Sequence, residues 1–182
     1  VSAIDSIAVL IAKAQSGDTE AQYRLARQLQ EGVGAAPNPQ AAVYWLQRAA
    51  DARHVPACVR MGRMLLKGEI GGGTRRDRQQ GLVYLNAGTN AGNATACYLL
   101  ALAYRDGGLV RKNPSAAMRL LKRAARAGHG NAAYALAVMM RERMDNWVPD
   151  TIKLLRLAAG KGVHEAVELL SQVELARGLE VA

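Results

Sequence analysis

Phenylalanine is missing altogether from this 182-residue chain, and aromatic residues of any kind make up only 4% of it. A core without phenylalanine has to be filled by aliphatic side chains. Half of the residues are hydrophobic, and Ala and Leu carry most of that share. Both are strong helix formers and weak strand formers, which argues for closely packed helices and against a β-sandwich. Cysteine is scarce: Cys58 and Cys97 are too few for a disulfide framework and are expected to be two buried, inert thiols. Long apolar runs are lacking, and none approaches the ~20 residues that cross a bilayer, which argues against a transmembrane segment. There is no initiating Met and no recognisable signal peptide, so the chain reads as a processed or excised piece whose compartment is not written in it.

Acidic residues are also in short supply. The formal net charge is +9, with 18 Arg against 6 Lys. Such an excess attracts nucleic acid, anionic polysaccharide, lipid headgroups or acidic protein faces, and it equally suits solvated surfaces written in an Arg-rich genome.

What the chain does have is a repeat. Gly17, Gly92, Gly128 and Gly162 open similar segments, with Arg53 standing where a fifth glycine would fall; the intervals are 36, 39, 36 and 34 residues. Four positions after each anchor comes Ala (21, 57, 96, 132 and 166). Eight positions after it comes Leu25, Met61, Leu100, Leu136 or Leu170, followed by a small residue. In the first three units a further glycine, Gly32, Gly68 or Gly107, stands fifteen positions on. A second segment recurs as AVYWLQRAA (42–50), GLVYLNAGT (81–89), AMRLLKRAA (117–125) and TIKLLRLAA (151–159). Apolar and small residues spaced by three and four make both segments amphipathic helices. Small residues at the crossing points let the two approach closely. Each unit is then a helical hairpin that cannot bury its own apolar face, and stacking the units buries it.

This unit resembles the Sel1-like repeat, a relative of the tetratricopeptide repeat with a longer connecting loop, over about residues 17–178. The resemblance implies an all-α, right-handed α-solenoid of helix-turn-helix repeats. A single repeat domain is expected over 1–182: a half-unit or cap at 1–16, repeats at 17–52, 53–91, 92–127 and 128–161, and a half-unit or cap at 162–182. The fourth repeat departs from the pattern, with Arg143 in place of the helix-ending glycine and MDNWVPD (144–150) in its loop.

The stretch GEIGGGTRRDRQQG (68–81) has the glycines of a phosphate-binding loop but not its context. A helix precedes it instead of a strand, and Thr-Arg-Arg follows instead of Lys-Ser/Thr. Aligned with 32–42 and 107–117, it is an inter-helix connection lengthened by three residues. Asp77 is expected to cap the next helix as Asn38 and Asn113 do in their units, with Pro39 and Pro114 following those caps. Arg75, Arg76 and Arg78 would make it a basic loop suited to an acidic partner or simply tolerated at the surface.

No chemistry stands out. His54, His129 and His164 lie just past unit anchors, and no Cys or carboxylate joins them at zinc-ligand spacing, so no metal or cofactor is expected. No nucleophile is placed with a base, and the chain reads as no enzyme. By analogy with tetratricopeptide geometry, the concave groove would be lined by Tyr23, Arg27, Arg63, Tyr98, Leu102, Arg105, Tyr134 and Arg141. Tyr and Arg are enriched at interface hot spots, and the set suits a protein or peptide partner carrying acidic groups. The same tyrosines also suit packing between neighbouring first helices. A competing basic stripe, Arg119, Lys122, Arg123 and Arg126 on a second helix, lies on the expected convex side, as a solvated face or a contact for an anionic polymer or membrane surface. The expectation is a scaffold, adaptor or inhibitor that docks a partner protein, of a type the resemblance associates with bacterial envelope, secretion or signalling roles. The alternative is a binder of an anionic ligand: polysaccharide, nucleic acid or lipid surface.

Overall fold

The computed structural model describes residues 7–34, 36–142 and 148–180, with side chains for 7–34, 36–142 and 149–175. Arg143 and most of the segment MDNWVPD lie outside the described residues. All regular structure among the described residues is helical, and the chain divides into two compact bodies, residues 1–91 and 92–182. The N-terminal body holds α1 (Ile7–Gln15), α2 (Thr19–Glu31), α3 (Pro39–Asp51), α4 (Val55–Lys67) and α5 (Arg75–Asn90). The C-terminal body holds α6 (Ala94–Asp106), α7 (Pro114–Arg126), α8 (Gly130–Arg141), α9 (Val148–Gly160) and α10 (His164–Glu180). Within these bodies α2–α3, α4–α5, α6–α7 and α8–α9 pair as the expected hairpins.

The repeated residues do what their spacing implies. Leu10, Leu25, Leu46, Leu85, Leu121 and Leu155 are buried at hairpin centres, with alanines such as Ala49, Ala57, Ala96, Ala117 and Ala132 between them. In the N-terminal body Leu46, Met61, Leu65 and Tyr84 share one core; in the C-terminal body Leu121, Leu136 and Met139 share another. Cys58 and Cys97 are both free and buried, as expected. The Cys58 thiol donates to the Ala50 carbonyl at 3.3 Å. Burial pushes its pKa up, opposed by the Arg53 charge. A protonated thiol in such a setting is a poor nucleophile.

The anchor glycines are there for the backbone. Gly17, Gly92, Gly128 and Gly162 all have φ between 80° and 98°. Arg53 adopts the same turn at φ 64°, the one non-glycine residue among those described with positive φ. The left-handed turn is therefore retained where the glycine is lost, at a strain of roughly 1–2 kcal/mol for a side chain with a Cβ.

Asn38 and Asn113 cap α3 and α7 as expected, each side-chain oxygen accepting a backbone N–H at 3.0 Å, with Pro39 and Pro114 in the first helical turn. Asp77 does not follow them. Thr74 is the N-cap of α5, and Asp77 is its third helical residue, closing a capping box: Asp77 N–H donates to Thr74 Oγ1 at 3.2 Å and Thr74 N–H to Asp77 Oδ2 at 3.0 Å. Thr-x-x-Asp satisfies two orphan donors reciprocally, which a lone Asp cap cannot. The connection from Gly68 to Thr74 is thus as long as those from Gly32 to Asn38 and from Gly107 to Asn113. The three extra residues lengthen the helix instead: α5 has 16 residues, α3 and α7 have 13. Gly71, Gly72 and Gly73 form a tight turn with φ of 70–77°, a run that side chains with a Cβ rarely adopt, and the arginines at 75, 76 and 78 belong to the first turns of α5.

Candidate partner-binding surface

The candidate groove residues all fall on first helices, and each body presents its own set. In the N-terminal body, Tyr23 on α2 is half-buried, and its ring packs against the His54 imidazole with centroids 5.0 Å apart. His54 heads α4 and also bonds Glu20 at 2.9 Å. One aromatic pair therefore ties the first helix of a repeat to the start of the next. Arg60 bonds Gln30 across the same seam. Arg27 is exposed and held by Glu31 at 3.1 Å on its own helix, while Arg63 is exposed with no ionic partner among the described residues.

The C-terminal body repeats the device. Tyr98 on α6 stacks on His129 with centroids 4.7 Å apart and planes 29° from parallel. His129 caps α8, its Nδ1 accepting the Ala132 N–H at 3.2 Å. Accepting requires a neutral ring, and burial lowers its pKa. Leu102 and Tyr134 are half-buried, and Arg141 is exposed. Arg105 is clamped by the neighbouring Asp106 through two bonds, at 2.6 and 3.2 Å. Tyr23 and Tyr98 are thus packed on the next repeat's histidine and still half-open to solvent. Sequence reasoning saw both members of each pair without seeing that they meet. The signal was present: Tyr and His stand at the same offset from each other in both pairs, as two constant repeat positions.

The basic residues are dispersed. Arg75, Arg76 and Arg78 are exposed at the start of α5. Of the stripe on α7, all four cations are exposed, but Arg119, Lys122 and Arg126 border a depression between α7 and α9, whereas Arg123 does not. Among the described residues no cluster of three His, Cys, Asp or Glu side chains is arranged to hold a metal, and no helix is long and apolar enough to cross a membrane.

Tandem helical hairpins joined by glycine turns, with small residues at the crossings, define a helical-repeat protein of the tetratricopeptide type. The Sel1 repeat model matches residues 19–54, 55–93 and 94–129, well over half of the chain, and the chain belongs to the Sel1 repeat family. The fold matches a Sel1 repeat protein from Oxalobacter formigenes, with a TM-score of 0.79 at 24% identity over 92% of this chain and 66% of that one. It also matches a protective antigen of uropathogenic Escherichia coli displaying an SLR fold, with a TM-score of 0.84 at 23% identity over 93% of this chain and 36% of that one. Among curated proteins, chitin synthase regulatory factor 2 of Schizosaccharomyces pombe is 33% identical over 114 residues, 58% of this chain. The chain spans only 22% of that relative's length. Sel1 repeats are in general protein-interaction modules, and proteins built from them are in general non-enzymatic scaffolds.

Proposed function

We propose that this chain is a non-catalytic scaffold, adaptor or inhibitor that docks a protein or peptide with acidic groups against its first helices, on the concave groove expected of the repeat class. The observation that carries this reading is the Tyr–His ring contact repeated in the two bodies, tilted at 40° between Tyr23 and His54 and stacked at 29° between Tyr98 and His129. Each contact packs a large, half-exposed aromatic ring before any partner arrives. Pre-ordered Tyr surfaces bind with little loss of side-chain entropy. Arg63 on α4 and Arg141 on α8, exposed and without carboxylate partners among the described residues, supply positive charge on the first helices. Arg27 and Arg105, already held by Glu31 and Asp106, would first have to exchange those partners.

The test is a partner captured from the source cells and then titrated as a purified protein. Tyr98→Ala combined with Arg105→Ala is expected to abolish binding while leaving the helical circular dichroism unchanged. Unchanged affinity in that variant would remove the first-helix face from consideration. Titration at two salt concentrations separates the polyanion alternative, because binding governed by counterion release weakens steeply with salt and accepts many anions.

A further inference from the structure

The depression beside the α7 stripe is a built groove that shares no residue with the candidate first-helix set. It has a volume of about 580 Å³, within the usual range of ligand pockets, roughly 300–1,000 Å³. Its apolar lining is Met118 and Ala125 on α7, Leu136 and Met140 on α8, and Leu154 and Leu157 on α9. All but Ala125 and Leu136 are only half-buried, so these side chains present a wet apolar surface. Arg119, Lys122 and Arg126 stand along the α7 wall, and Lys153 stands on the α9 wall. The one carboxylate among the lining residues is Asp150, which lies 3.9 Å from Lys153. The three α7 cations have no ionic partner among the described residues.

We propose that this groove receives an acidic amphipathic helix of a partner protein, its apolar stripe on the methionine and leucine lining and its carboxylates against the α7 cations. The arrangement of charge selects this occupant. A fatty acid or lipid carries its anionic group at one end and needs cations clustered there. Here the cations recur at i, i+3 and i+7 along the wall, about two helical turns or roughly 11 Å. Carboxylates repeating at helical spacing on an incoming helix match that period. The lining is also apolar, as a helix-in-groove contact requires, whereas a nucleic acid would place phosphates and sugars on it.

The probe is a synthetic amphipathic peptide of about 14 residues, with leucines at i, i+4, i+7 and i+11 flanked by glutamates, titrated against the whole protein by fluorescence anisotropy. Saturable binding is expected. It should fall more than about tenfold in the exposed-residue variant Arg119→Glu/Arg126→Glu and return when lysines replace the peptide's glutamates. Peptides with the leucines changed to serine should not bind. The Tyr98→Ala/Arg105→Ala variant should bind the acidic peptide as the native chain does, so failure here and failure of the first-helix reading are distinguishable. Binding indifferent to the charge reversal would overturn the proposal. So would no binding to the peptide while oleate or anionic phosphatidylglycerol vesicles bind and are lost on the same reversal.

Discussion

Gly62 and Gly160 are both helical glycines, and the same substitution at each should move stability in opposite directions. Gly62 sits where α4 crosses α5. A Cβ there would lie 2.8 Å from Leu85 Cγ and 2.9 Å from the Gly81 carbonyl oxygen. Neither neighbour can give way easily, since Leu85 is wholly buried and the carbonyl belongs to the α5 backbone. Gly81 makes the approach reciprocal, its own Cβ position lying 3.0 Å from the Gly62 carbonyl oxygen. Forcing the helices apart costs about 1–3 kcal/mol, of the size seen for overpacked cores. The better helix propensity of alanine returns at most about 1 kcal/mol. Gly62→Ala should therefore lose up to roughly 2 kcal/mol even after that return in full. Gly160 ends α9 with no atom within 4 Å of its Cβ position, and Gly160→Ala should gain up to about 1 kcal/mol. Urea unfolding followed by far-ultraviolet circular dichroism measures both. Equal stabilisation by the two substitutions would refute the close crossing of α4 and α5.

Three further outcomes follow from individual contacts. The buried Tyr84 phenol donates to Asp51 at 2.6 Å, and burial together with that carboxylate pushes its pKa up to about 12. Its protonated form is the one the fold favours. That contribution is complete below the ordinary tyrosine value of about 10 and is lost as pH rises toward about 12. Ultraviolet titration should show one late tyrosine that Tyr84→Phe removes. His129 should titrate below the ordinary histidine value by NMR, because burial disfavours its charged form. Its contribution is present above the unfolded pKa of about 6.5 and is lost as pH falls through the lowered folded value; a midpoint above 6.5 would contradict the packing at the α8 cap. Thr74→Ala should cost about 1 kcal/mol in urea unfolding, since it opens the capping box of α5, and would be silent if that helix began at Asp77.

The helical hairpins were legible in the sequence because glycine turns, alanine crossings and proline after an asparagine cap are local signals with fixed offsets. Arg53 was legible as the odd anchor only through alignment with its four glycine siblings, and its positive φ explains why the position is ordinarily glycine. The start of α5 was misplaced because alignment counted back from the apolar motif and landed on Asp77. The cue that outranked it was Thr-x-x-Asp, three residues earlier. At the surface the limit was of another kind. Tyr23 with His54 and Tyr98 with His129 meet across successive repeats, and distance along the chain hides such contacts. Likewise the α7 stripe looked like a plain charged face until α8 and α9 supplied an apolar wall beside three of its four cations.

Amide hydrogen exchange on the free protein and on its complex with a captured, purified partner tests the proposed docking surface most directly. If the partner docks on the first-helix face, exchange should slow in α2, α4, α6 and α8, most strongly around Tyr23 and Tyr98. Slowing confined to the second helices α3, α5, α7 and α9, with the turns bearing Tyr23 and Tyr98 unchanged, would contradict that account.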